Sequence, residues 1–236
     1  MIKFFTLSLV FFCYSIKILG QTNPAFQALP YSQNFGAATF TSMPVGTASW
    51  NGLGGDVINT QALAEASVPT GDATVTAATL EQTVAGTYGY ATAANGRLYI
   101  QSSGSVTDGV NQLVIGVSTG IYRGLLITYS IEMINDGSGN RTIGSVLQYR
   151  AGTSGAWTTI PGSAVTYTAT SSNGGDLDIP GDIDTYNVSV ASLTMATDYQ
   201  LRWAHWRGGS AGGTSSLGIA YDNITITGGF ALPVQF

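Results

Sequence analysis

Charge is scarce in this chain: only 9% of its 236 residues are Asp, Glu, Lys or Arg. Both lysines, Lys3 and Lys17, lie within the first 21 residues, so the rest carries six arginines against thirteen carboxylates, a net −7. Such a surface repels phosphate backbones, which disfavours nucleic-acid binding by this domain. Cysteine occurs once, as Cys13, and histidine once, as His205. A lone cysteine builds no disulfide framework, and one histidine without a thiol or metal partner supports neither zinc nor Cys–His chemistry. Beyond the N-terminus no apolar run is long enough for a membrane helix, so no membrane span is expected.

The first 21 residues, MIKFFTLSLVFFCYSIKILGQ, read as a secretory signal. Lys3 supplies the positive start, and Phe4 to Tyr14 is an apolar stretch too short to cross a bilayer. Cleavage is expected near Gly20-Gln21, which makes the protein secreted, extracellular or held at the cell surface. Val-Phe-Phe precedes Cys13, where lipoprotein processing needs a small residue.

What is abundant is Gly, Ser, Thr and Ala, with β-branched and aromatic runs set between turn residues. That pattern belongs to an all-β sandwich or barrel. The clearest predicted strands are 98–102, 112–117, 123–134, 142–150, 157–160, 186–190, 199–206 and 218–227. In the longest, Leu125, Ile127, Tyr129, Ile131 and Met133 share a core face, while Leu126, Thr128, Ser130, Glu132 and Ile134 form a mixed one. The Ala/Thr/Gly-rich stretch before Leu98 shows no clear periodicity.

Three separated stretches carry a resemblance. They are LPYSQNF (Leu29–Phe35) with MPVGTASW ending at Trp50, then GLLITYSIEM (Gly124–Met133) with SVLQYRAGTSGAWTTI (Ser145–Ile160), and finally YQLRWAHWRGGSAGGTSSLGIAYDNITIT (Tyr199–Thr227). In this order they resemble secreted bacterial jelly-roll modules similar to MAM and concanavalin-A-like sandwiches. The resemblance implies a two-sheet antiparallel jelly roll over 22–228. It also implies a non-catalytic module at the N-terminus of a larger exported protein, such as an adhesin-like protein or an extracellular nuclease. Asn223 departs from a common Asp-Asp pair. The ending ALPVQF resembles the segment that precedes the C-terminal sorting domain of proteins exported by the type IX pathway. Residues 229–236 are accordingly expected to be a linker and the start of a truncated downstream module.

Candidate sites are few. Asp222 is the chief one: if Ile224 and Ile226 point inward, period two places Asp222 on the core face, where a carboxylate must be paired, hydrogen-bonded or metal-bound. One reading is structural Ca²⁺ on Asp222 with help from Asn34. The other is an ion pair with Arg202 or another strand arginine, or turn hydrogen bonds at the strand end. Asp136-Gly-Ser-Gly-Asn140 begins like a calcium loop but has Arg141 at the sixth position and no closing Glu, so a hairpin is expected. The acids Asp176, Asp178, Asp182 and Asp184 read as a solvated loop. In WAHW, Trp203 and His205 should follow Leu201 inward, with Arg202, Ala204 and Trp206 on the opposite face. An exposed Trp206 beside Arg202 would make a sugar-stacking platform; the alternative is that the second sheet or the 207–216 loop covers Trp206.

A glycosidase needs two carboxylates across one bond, and the sequence does not show Glu132 and Asp222 to be close. The expected function is therefore non-enzymatic: a secreted binding or adhesion module for polysaccharide or cell-surface glycan. The alternative is an accessory N-terminal domain of an extracellular hydrolase, such as a nuclease, whose catalytic domain lies outside this chain.

Overall fold

The structure is a computed structural model and describes residues 20–52, 57–93, 95–103, 109–134, 141–169, 183–194, 196–209 and 217–229. Residues 1–19 of the leader, the Asp136–Asn140 turn, Asp176, Asp178, Asp182 and the ALPVQF ending lie outside them.

The elements are nearly all strands. The chain opens with β1 (Gln27–Ala28), β2 (Tyr31–Gln33) and β3 (Thr47–Trp50), followed by a six-residue helix, α1 (Gln61–Ala66). Then come β4 (Val75–Ala78), β5 (Gly86–Thr92), β6 (Asn95–Gln101) and β7 (Gln112–Ser118). The long strands β8 (Leu125–Ile134) and β9 (Arg141–Ala151) precede the short β10 (Thr158–Thr159) and β11 (Val165–Ala169). β12 (Ile183–Val190), β13 (Asp198–Gly209) and β14 (Gly218–Gly228) complete the set.

Two seven-stranded sheets result. In the first, β7, β13 and β9 form the middle; β1 and β3 share the far edge of β7, and β10 and β11 share that of β9. The second runs β12-β8-β14-β6-β5-β4, and β2 pairs with β14 beyond the point where β6 ends. Pairing is antiparallel except for β1–β7 and β4–β5. The all-β, two-sheet sandwich expected from the sequence is the observed fold.

Alternation explains which side of each strand faces the partner sheet. Leu125, Ile127, Tyr129, Ile131 and Met133 of β8 enter the core as expected. They meet Leu201 and Trp203 of β13 and Leu147 of β9, and the Tyr129 and Trp203 rings pack edge-to-face at 5.3 Å. The mixed face of β8 changes along its length: Leu126 is exposed, whereas Ser130, Glu132 and Ile134 are covered.

A polar line through this core links the sheets. His205 Nδ1 donates to the carbonyl of Asn111 at 2.6 Å, which leaves Nε2 to accept from the Tyr221 hydroxyl at 2.7 Å. Tyr221 Oη in turn lies 2.6 Å from Ser145 Oγ. Each polar atom is satisfied, as burial requires, so His205 is a structural residue of the core. Burial pulls its pKa down to about 4, against the smaller opposing effect of the Asn111 carbonyl.

Phase is broken once, and with consequence. Between Asp222 and Thr225 the register of β14 against β8 shifts by one residue, a bulge in which Asn223 adopts φ +50°. Asn tolerates this left-handed backbone better than most residues. Ile219 and Tyr221 point inward before the bulge, and Ile224 and Ile226 after it. Asp222 is therefore on the outer face of its sheet, and the expected core-face position is corrected: uninterrupted period two does not hold across a bulge.

Candidate functional site

The outer face of the first sheet carries a group of aromatic and polar side chains. On β13 it presents Gln200, Arg202, Ala204 and Trp206, as alternation from Leu201 requires. Helix α1 lies against this face. Its N-terminus is capped by Thr60, whose hydroxyl accepts from the Leu63 amide at 3.3 Å. Its C-terminal end is held from below by Arg202, which donates to the carbonyls of Glu65 at 2.9 Å and Ser67 at 2.8 Å. A guanidinium at helix-terminal carbonyls satisfies acceptors that the helix itself leaves open. Arg202 also donates to Gln148 Oε1.

Arg202 is thus outward but fully buried, with its N–H groups committed to neutral acceptors. The expectation that it lies open to a ligand is corrected. Trp206 is corrected likewise. It faces outward yet is only 7% exposed, because Ile58 and Ala64 close over it beside Val146. Its ring lies over Gly144, its β9 partner, where a Cβ would collide with the indole. Covered on this scale, Trp206 offers no face to a sugar ring.

A different tryptophan takes the open position. Trp157, in the loop before β10, is half-buried and lines a cleft of about 260 Å³ together with Trp50, Arg150, Glu65, Pro69 and Gln21. Trp50, nearly fully buried, meets Trp157 edge-to-face at 6.3 Å. The indole N–H of Trp50 donates to the Thr22 carbonyl at 3.0 Å, and the Thr22 amide donates to Asp72 at 2.8 Å. These bonds fasten the N-terminal segment along the cleft. Val68, 81% exposed, stands on its rim.

Two guanidiniums border Trp157: the central carbons of Arg150 and Arg202 lie 4.3 and 4.4 Å from its ring centre. Arg150 also lies 5.5 Å from the Trp50 ring and directs Nε and Nη2 at Gln200 Oε1, at 2.9 and 2.6 Å. Gln200 is itself held by Asn23 at 2.8 Å. Burial lowers the Arg150 pKa. Arg202 is pulled down to about 9, first by burial and then by the neighbouring charge of Arg150. Of the lining residues Glu65 alone bears a carboxyl, and its Oε1 accepts from Gln61 at 2.8 Å. The cleft thus combines ring-stacking surface with directional donors, and its lining holds no second carboxyl and no histidine for acid–base work.

Asp222 lies on the other sheet. It shares a small space, roomy enough for about one water, with Arg97, Ser130 and Glu132. Arg97 and Glu132 form a salt bridge there, and Asp222 feels the charge of Arg97 and a hydrogen bond from Asn95. Burial nevertheless raises the Asp222 pKa above its usual value. The structure brings Glu132 and Asp222 together, which the sequence does not reveal. It does not bring in Asn34, which is exposed and accepts from the Gly36 amide at 3.1 Å. Calcium demands six to eight oxygens, and a guanidinium already occupies this space, so these residues do not fit a calcium ion. Among the described residues no group of three or more His, Cys, Asp or Glu is placed to hold a metal. Asp184, the described member of the acidic run, accepts from the Tyr167 and Tyr186 hydroxyls at 3.1 and 3.2 Å.

No protein-family model matches the chain, and no curated protein matches it. Solved structures with distant likeness include the K3 adhesin domain of Lys-gingipain from Porphyromonas gingivalis, at 15% identity over 84% of this chain and 98% of that one, TM-score 0.45. A xylan-binding domain from Paenibacillus barcinonensis aligns at 11% identity over 84% and 92%, TM-score 0.39. The N-terminal cellulose-binding domain of a Cellulomonas fimi β-1,4-glucanase aligns at 13% over 85% and 99%, TM-score 0.37.

Proposed function

We propose that this chain is a non-catalytic binding module of an exported protein and that the Trp50–Trp157–Arg150 cleft receives a glycan. The observation that carries this reading is Trp157 itself, an indole left half open and steadied by two guanidiniums beside unsaturated donor capacity. An indole face packs on the apolar face of a pyranose, and Arg150 supplies directional hydrogen bonds to ring substituents. The exposed Val68 extends the apolar rim. Export is supported by the signal-like residues 1–21, and no helix among the described residues is long and apolar enough to cross a membrane.

Membership in a larger exported protein, with type IX sorting, is part of this reading, supported by the resemblance of the ALPVQF segment to those that precede type IX sorting domains; the full gene sequence tests it. The binding role is tested by titrating the purified chain with a panel of neutral and acidic polysaccharides and cell-surface extracts. Binding to at least one glycan, lost in Trp157→Ala and kept in a surface control such as Val45→Ala, is the expected result. Flat titrations across the panel, or binding unaffected by Trp157→Ala, would remove the cleft from consideration.

A further inference from the structure

Resting on that glycan reading, we infer that the cleft selects sugars bearing a carboxylate, uronates, and that Arg150 grips the carboxylate. The argument begins with charge. This chain holds thirteen acids and few cations, yet Arg150 and Arg202 border the same ring and neither forms an ion pair among the described residues. Among the described residues every hydrogen bond they make goes to a neutral acceptor: Gln148 and the Glu65 and Ser67 carbonyls for Arg202, and Gln200 for Arg150. Glu65, the acid in the lining, is engaged by Gln61 and makes no salt bridge with either. Two like charges held this close, partly out of water, repel one another and lack a counter-charge.

The geometry leaves one donor to meet that need. Arg202 is buried and committed, so it acts as a positioning residue that adds positive potential beneath Trp157. Arg150 is half-buried and lines the cleft; Nε and Nη2 are taken by Gln200, while Nη1 has no partner among the described residues. A carboxylate on a ring stacked at Trp157 would accept a charge-assisted bond from Nη1 and supply the missing negative charge. A neutral sugar meets the same indole but leaves both cations uncompensated. An acidic peptide offers the charge without the apolar ring face that the half-open Trp157 indole fits best.

The experiment is calorimetry on the full chain with three probes: an oligogalacturonate, its carboxyl-reduced counterpart and pentaglutamate. The oligogalacturonate should bind about tenfold or more tighter than the reduced sugar, with the preference shrinking as salt is raised. In Arg150→Gln the two sugars should fall within about twofold of each other, and Arg150→Lys should retain part of the preference. Should Arg150→Gln fail to fold, the salt dependence in the native chain and the Arg150→Lys result carry the test. Equal or tighter binding of the reduced sugar overturns the selectivity and leaves the glycan reading standing. Binding of pentaglutamate alone overturns both in favour of a peptide ligand. No binding of either sugar, with neutral polysaccharides also silent, overturns both readings.

Discussion

The Arg202 guanidinium carbon lies 4.4 Å from the centre of the Trp157 ring, so a cation buried on β13 steadies the one tryptophan that the cleft leaves half open. The same guanidinium ties down the end of α1 through Glu65 and Ser67. Replacing Arg202 by Met would leave the Ser67 carbonyl and Gln148 Oε1 without their Arg202 donors, and the Glu65 carbonyl with only a 3.4 Å bond from Gln148. Losing these charge-assisted bonds should cost about 2–4 kcal/mol, read as a lower midpoint in urea unfolding. An unchanged midpoint would mean that α1 is not held this way.

Trp206 and Trp157 should behave oppositely. Trp206 is packed under Ile58 and Ala64, so Trp206→Ala should cost about 3–5 kcal/mol. Trp157→Ala removes a half-open ring and should cost well under half of that while abolishing glycan binding. Equal destabilisation by the two variants in denaturant titrations would show that Trp157 is also a core residue.

The buried His205 sets an acid limit on stability. Its folded pKa, about 4, lies below the unfolded value near 6.5, so the unfolded chain binds the extra proton between these values. Stability should be complete above about pH 6.5 and fall as pH drops towards 4, by on the order of 3 kcal/mol from this group. The difference between native and His205→Gln profiles isolates it, because other acids titrate in both. Parallel profiles would contradict a neutral, depressed histidine.

Arg97 holds two buried carboxyls together. Arg97→Gln would remove the cation between Glu132 and Asp222, at a cost of about 3–5 kcal/mol at neutral pH. Acid should relieve part of that cost, because a protonated carboxyl no longer repels its neighbour. Calcium should leave the native melting temperature unchanged. A calcium-dependent rise in the native chain that disappears in Asp222→Asn would reinstate a metal site at Asp222.

The sandwich was legible because strand alternation repeats over long runs, and in β8 and β13 each inward residue fell where period two places it. The inversion of Asp222 was not, because a one-residue bulge depends on pairing with β8 and on Asn223 tolerating φ +50°. Nor was α1, six residues whose stability comes from Arg202 and the sheet beneath rather than from its own length. That helix decides the site. It covers Trp206 and commits Arg202, and so passes the exposed aromatic role to Trp157, 49 positions earlier in the chain. Arg150 and Trp157 carried a faint signal in YRAGTSGAW, an arginine and an indole separated by a tight turn, but their meeting with Trp50 is a tertiary fact.

Of the four tryptophans, three are almost wholly buried and Trp157 alone stands half open, so fluorescence quenching reports on the cleft directly. Acrylamide quenching should detect one accessible class of indole, absent in Trp157→Phe and shielded when a bound glycan is added to the native chain. A glycan that binds by calorimetry yet leaves the accessible class of Trp157 unshielded would contradict the account.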